Sequence, residues 1–199
     1  MDRYLEFMET YQEENPNWLK IVYKQVMEEF QDQRETITAD FFDVVKSALY
    51  LCNEAQAVGT KGPLRYILIS PSHYGTCIGS YDVIISVFDE RMYYDQTETM
   101  AYWNADFIYR RIETDMKDMK KIFSKKFIRI KAYEMEEFRR VYAGMHHRLL
   151  IEPIKLLAED LYHSKLFKQV KCDNPVTVLM GKYMDKYVEL YNFDMGDRL

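Results

Sequence analysis

The sequence predicts an α+β fold in a single domain. Helices come first, a small antiparallel sheet of three or four strands sits in the middle, and helices close the chain. Three observations predict it. Residues 1–58 and 133–193 place apolar side chains at helical spacing. Residues 64–70 and 81–88 are short runs rich in Ile, Val, Tyr and Phe. Four of the seven glycines (Gly59, Gly62, Gly75 and Gly79) fall within 21 residues and bracket the first of those runs.

Three helices are expected in the first sixty residues. Tyr4, Phe7, Met8 and Tyr11 form a short stripe. Asn15-Pro16 reads as a start signal, with Asn as cap and Pro in the first turn, where its missing N–H costs nothing. Trp18, Leu19, Val22, Tyr23, Val26, Met27 and Phe30 follow at helical spacing. Thr38 opens the third helix, whose wide stripe from Phe41 to Ala55 suggests burial on more than one side. Gly59 and Gly62-Pro63 stop it.

The segment 63–131 is expected to hold the sheet and one helix. About ten residues join the runs 64–70 and 81–88, too few for a crossover helix, so the two strands should pair antiparallel. Arg91–Tyr94 reads as a short third strand, and 95–103 fits no template. A helix is expected from Asn104 or Asp106 to about Ser124. Lys126–Lys131 alternates like an edge strand. The segment 133–193 reads as helices at 133–150, from Pro153, and again from Asn174-Pro175, the last striped by Tyr183, Tyr187 and Tyr191.

At 199 residues with 48% hydrophobic content the chain can bury a real core without staples. Cys52, Cys77 and Cys172 are odd in number and show no Cys-x-x-Cys spacing, which suggests neither a disulfide framework nor a zinc site. No apolar run approaches the ~18 residues a membrane span needs, and the acidic N-terminus has no signal-like core. The expectation is a cytoplasmic protein with reduced thiols and no membrane partner. Net charge is −5, unevenly spread: residues 1–60 hold 12 acids and 5 bases, residues 110–140 hold 11 bases and 6 acids. The basic segment 110–131 would suit a nucleic-acid-associated regulator, but interleaved acids and overall acidity favour packing against the acidic N-terminal part.

The segment 70–80 is chemically the richest. It offers Ser72, His73, Tyr74, Gly75, Thr76, Cys77 and Gly79, hydroxyls and an imidazole beside glycines that let backbone N–H groups face a ligand. Its spacing matches neither a phosphate loop nor a nucleophile elbow. Its simplest role is a hairpin connection; its functional role would be contact with a small ligand. His73 and Cys77 at i, i+4 would suit a small hydrolase or transferase if an imidazolium activated the thiolate, yet no third residue orients them. His146, Glu159 and His163 make the one metal-flavoured set, without a ligand spacing that compels a site; no metal and no cofactor are expected. Tyr93, Tyr94, Tyr102 and Trp103 crowd the unpatterned stretch 91–104. Aromatics with polar tips suit a surface that binds a partner. The expected function is therefore a binding or interaction module without catalysis of its own, contacting a protein or a small ligand, and open to homodimerisation through the C-terminal tyrosines.

Overall fold

The computed structural model describes residues 3–182 and 184–196. It contains helices α1 (Arg3–Glu14), α2 (Trp18–Asp32), α3 (Arg34–Ala57), α4 (His73–Ile78), α5 (Asp106–Tyr109), α6 (Ile112–Lys126), α7 (Ala132–Leu149) and α8 (Ile151–Tyr162). The strands are β1 (Leu64–Pro71), β2 (Val83–Phe88), β3 (Met100–Trp103), β4 (Cys172–Gly181) and β5 (Tyr187–Phe193). The fold is α+β as expected, but the sheet has five strands in the order β3-β2-β1-β4-β5, and the β1–β4 pair is parallel. By contact density the chain falls into two units. One takes the described residues up to Asp32, His73–Tyr81 and Ala105–Leu150; the other takes Gln33–Ser72, Asp82–Asn104 and the described residues from Ile151 on.

The first unit holds α1, α2, α4, α5, α6 and α7 around an aromatic lattice. Phe7 stacks on Phe123 at 4.5 Å, and Phe138 stands edge-on to Phe123 at 5.1 Å. Tyr142, fully buried, is stacked with Phe138 and reached by Tyr11 and Trp18. Rings dominate because three of the helix stripes, Phe7/Tyr11, Phe123 and Phe138/Tyr142, carry aromatics that face one another at i, i+4 spacing. The acids of the N-terminal helices meet the basic segment: Glu29 pairs with Arg110, and Glu14 with Lys126 at 2.9 Å.

In the second unit, paired residues across the sheet define its two faces. Trp103, Val83, Ile85, Ile67 and Val178 share one, which packs on α3 through an edge-on contact of Trp103 with Phe41 at 5.1 Å. At the far edge Phe193 packs on Tyr162 of α8. β1 over Ile67–Ser70 and β4 over Val176–Met180 are continuously buried, as parallel central strands are.

Several local expectations are corrected. The stretch from Asn174-Pro175 to Tyr191 is not a helix but the hairpin of β4 and β5. Its apolar residues fit helical spacing equally well, and only pairing with β1 decides; Tyr183 lies outside the described residues. Residues 127–131 form a connection between α6 and α7 and not a strand, since the described part of their unit contains no strand to pair with. Arg91–Tyr94 is not a strand either. Asp89 captures the Arg91 N–H at 2.9 Å and bends the chain into a 3-10 turn at Met92–Tyr94, and the third strand falls at 100–103, inside the unpatterned stretch. The 70–80 segment is no simple loop, because residues 73–78 form a turn and a half of helix. The helix expected from 104 to 124 breaks into α5 and α6. α2 starts at Trp18, two residues after Pro16, and the Asn15 side chain closes α1 instead, donating to the Tyr11 carbonyl at 3.3 Å.

Candidate functional site

The second unit builds its most elaborate polar structure where two loops meet: residues 58–63 after α3 and residues 89–99 after β2. The Lys61 ammonium is fully buried and pairs with the equally buried Asp95 carboxylate. Lys61 also donates to the Thr97 carbonyl at 3.3 Å. Asp95 accepts in turn from the backbone N–H of Thr97 at 3.1 Å and of Asp89 at 3.3 Å. Asp89, likewise buried, accepts from the Gly62 N–H at 3.0 Å and from the Arg91 guanidinium at 2.5 Å. Arg91 reaches on to the Thr60 carbonyl at 3.2 Å. Every one of these bonds ties one loop to the other or closes a loop on itself.

Gly62 suits this arrangement. A Cβ there would lie 3.3 Å from the Asp89 carboxylate oxygen, which must approach that close to accept the N–H. Gly62 thus serves a charge clamp, where the sequence suggests only a helix stop. Burial alone would raise the Asp89 carboxyl. The Arg91 side chain and the N–H groups of Gly62 and Arg91 outweigh it and hold the carboxyl at about 2.

The clamped loop carries the aromatics. Tyr93 packs edge-on against Phe88 at 5.8 Å and, with Met92 and Tyr66, covers the small cluster of Leu68, Phe88 and Leu179. Met92 holds φ at +52°, a left-handed conformation that a side chain of its size rarely adopts. Tyr94, next in sequence, stands 85% exposed. On β3, Tyr102 is 58% exposed and Trp103 only 2%. Adjacent strand residues point to opposite faces, so one joins the surface and the other the core. Of the four aromatics read from the sequence as a contact surface, Trp103 is corrected to a core residue. Lys61, Asp89 and Asp95 were not legible as a group, because a lysine between glycines reads as solvated.

The 70–80 segment lies in the first unit from His73 to Ser80. Gly75 and Thr76 are buried, while His73, Tyr74, Cys77 and Ile78 face outward. Gly79 holds φ at +77° beside Glu113, and Tyr81 donates to that Glu113 carboxylate at 2.6 Å while stacking on Tyr109. His73 and Cys77 share the outer face of a one-and-a-half-turn helix, and no hydrogen bond joins them. Ser72 belongs to the second unit, where its N–H bonds the Asp82 carbonyl at 2.8 Å.

The histidines separate. His146 is fully buried in the first unit, with Nδ1 3.1 Å from the Tyr142 carbonyl. A carbonyl only accepts, so Nδ1 carries the proton, and Nε2 has no partner. Burial pushes its pKa below the usual value. Glu159 and His163 belong to the second unit. Among the described residues no three His, Cys, Asp or Glu side chains come together as a metal site, and no helix is long and apolar enough to cross a membrane. All three cysteines are free thiols; burial pushes Cys52 up to about 11 and Cys172 up to about 12, while Cys77 is exposed. Comparison with known protein families, with curated proteins and with solved structures returns no match.

Proposed function

We propose that this chain is a cytoplasmic binding module that recognises a protein partner through the aromatic surface of its sheet-bearing unit, with Tyr94 and Tyr102 as the exposed contacts. One observation carries the reading: a fully buried Lys61–Asp95 pair is used to hold a surface loop on which Tyr94 stands exposed. Burying a charge pair costs several kcal/mol of desolvation per ion, more than a loop needs merely to connect two strands. What such a clamp provides is a loop already ordered before contact, which lowers the entropic cost of binding. The strained Met92 backbone supports the same reading, since such conformations cluster where a chain presents a functional surface.

The test compares proteins retained from a cell extract by the wild-type chain and by a Tyr94→Ser/Tyr102→Ser variant. A partner retained by the first and lost by the second, with the melting temperature unchanged, supports the reading. Equal retention by both overturns it. A second reading, thiol chemistry at α4, is favoured only by the shared outer face of His73 and Cys77 and predicts loss of turnover in Cys77→Ser.

A further inference from the structure

A groove of about 790 Å³ opens in the helical unit, between the start of α2 and the end of α7. Its apolar lining includes Trp18, Leu19, Met145 and Leu149. Two cations, Lys20 and Arg148, stand in the same lining. Its remaining polar side chains are the neutral amides of Gln12 and Asn17 and the Tyr23 phenol, and no acid lines it.

That charge pattern is opposite in sign to the balance of the whole chain. The chain carries a net charge of −5. Elsewhere in this unit Arg110 is engaged by Glu29, Arg139 by Glu113 and Arg140 by Glu137. Neither Lys20 nor Arg148 makes an ion pair among the described residues. Glu13 and Glu14, the acids nearest in sequence to Gln12, are both drawn to Lys126. An apolar trough with two unneutralised cations and no acid is complementary to a molecule with an apolar body and one negative end. The volume lies in the range of pockets that take small molecules, roughly 300–1,000 Å³.

The geometry points to a binding site here for a small amphiphilic carboxylate, its apolar body on Trp18, Leu19, Met145 and Leu149 and its carboxylate between Lys20 and Arg148. This site is independent of the aromatic surface of the other unit and stands or falls separately.

The chain's two tryptophans make the test direct. Trp18 lines the groove, and Trp103 sits in the core of the other unit, so a nitrogen-15 spectrum of the full chain carries two indole N–H signals, one reporter and one control. Trp18→Phe assigns them. Titration with decanoate, kept below its micelle concentration, should move the Trp18 signal saturably and leave the Trp103 signal in place. Lys20→Glu/Arg148→Glu, both exposed positions, should weaken binding by at least about tenfold, as loss of two charge contacts requires. Decyltrimethylammonium, with the same chain and the opposite charge, should bind at least about tenfold more weakly than decanoate, a comparison that needs no variant. An unmoved Trp18 signal, equal affinity for the two detergents, or undiminished affinity in the variant would each overturn the proposal. So would a groove that ignores decanoate and takes an acidic amphipathic peptide instead.

Discussion

The helical unit sets neutral polar groups singly into its ring lattice, with Glu134 paired to Arg3 beside them, whereas the sheet unit joins several charged groups into one buried cluster. Tyr142 donates a hydroxyl hydrogen bond to Asp115 at 2.7 Å, Tyr109 bonds His147 at 2.8 Å, and His146 sits uncharged against Trp18 and Tyr142. In the sheet unit, Lys61, Asp95 and Asp89 are buried and joined by an ion pair and by backbone N–H groups. The neutral groups need only one partner each and fit into a lattice of rings that would pack much the same without them. The charged groups need every partner at once, so they dictate the path of two loops. The contrast teaches that a polar group in an aromatic core is tolerated packing, whereas a buried ion pair under a surface loop is an organising device.

The comparison breaks most readily at Lys61. Lys61→Ala leaves Asp95 buried with only the longer contact to Arg91 at 3.8 Å and is expected to cost about 3–5 kcal/mol in urea unfolding, whereas Lys61→Met/Asp95→Leu, which removes both charges, should recover most of that loss. A single variant within about 1 kcal/mol of wild type would mean that the clamp organises nothing.

Next comes the split on β3. Trp103→Ala should cost about 3–5 kcal/mol as a buried ring, while Tyr102→Ser beside it should change stability by less than about 0.5 kcal/mol. Thermal unfolding of both variants checks this, and similar losses would remove the distinction between core and surface faces.

In the ring lattice a smaller effect is expected. Tyr142→Phe strips one hydroxyl and leaves Asp115 without it, an expected cost of about 1–3 kcal/mol by urea unfolding. A loss as large as that of Lys61→Ala would erase the difference between the two units.

The pH dependences sharpen the contrast with the smallest effects, because they fall in separate windows. Burial depresses the folded pKa of His146, so the unfolded chain takes up that proton first, below about pH 6.5. Stability from the neutral ring is present above that pH and is lost as pH falls through it, by no more than about 1.4 kcal/mol at pH 5.5. Asp89 behaves as a depressed carboxyl: its contribution is present above about pH 3.9 and disappears as pH falls toward its folded value of about 2. Urea midpoints across pH 7.5–5.5 should lose their slope in His146→Leu, and those below pH 4 should flatten in Asp89→Asn.

How much was legible in the sequence varies by element for physical reasons. The stripes Phe7/Tyr11, Val22/Val26/Phe30 and Phe138/Tyr142 are local patterns, and each became the buried face of α1, α2 or α7. The antiparallel pairing of β1 and β2 followed from the short connection between them. The 91–104 aromatics were legible as a group but not as individuals: a strand boundary between Met92 and Met100 decides which ring turns inward, and that boundary depends on the Asp89 bend. Lys61 and Asp95, 34 residues apart, carry no mark of their pairing, since either residue alone is an ordinary surface charge.

The sequence by itself determined where this chain is helical at its start, where it changes to strands, and that aromatic side chains fill its interior, because periodicity and composition act over a few residues. Tertiary structure alone decided that 172–193 is a hairpin, since Val176, Leu179 and Met180 suit a helix or a buried strand equally and only the parallel register against β1 chooses between them. It alone also decided that Lys61 lies inside, because a buried ammonium is stable only where a carboxylate and carbonyls from a distant loop converge on it.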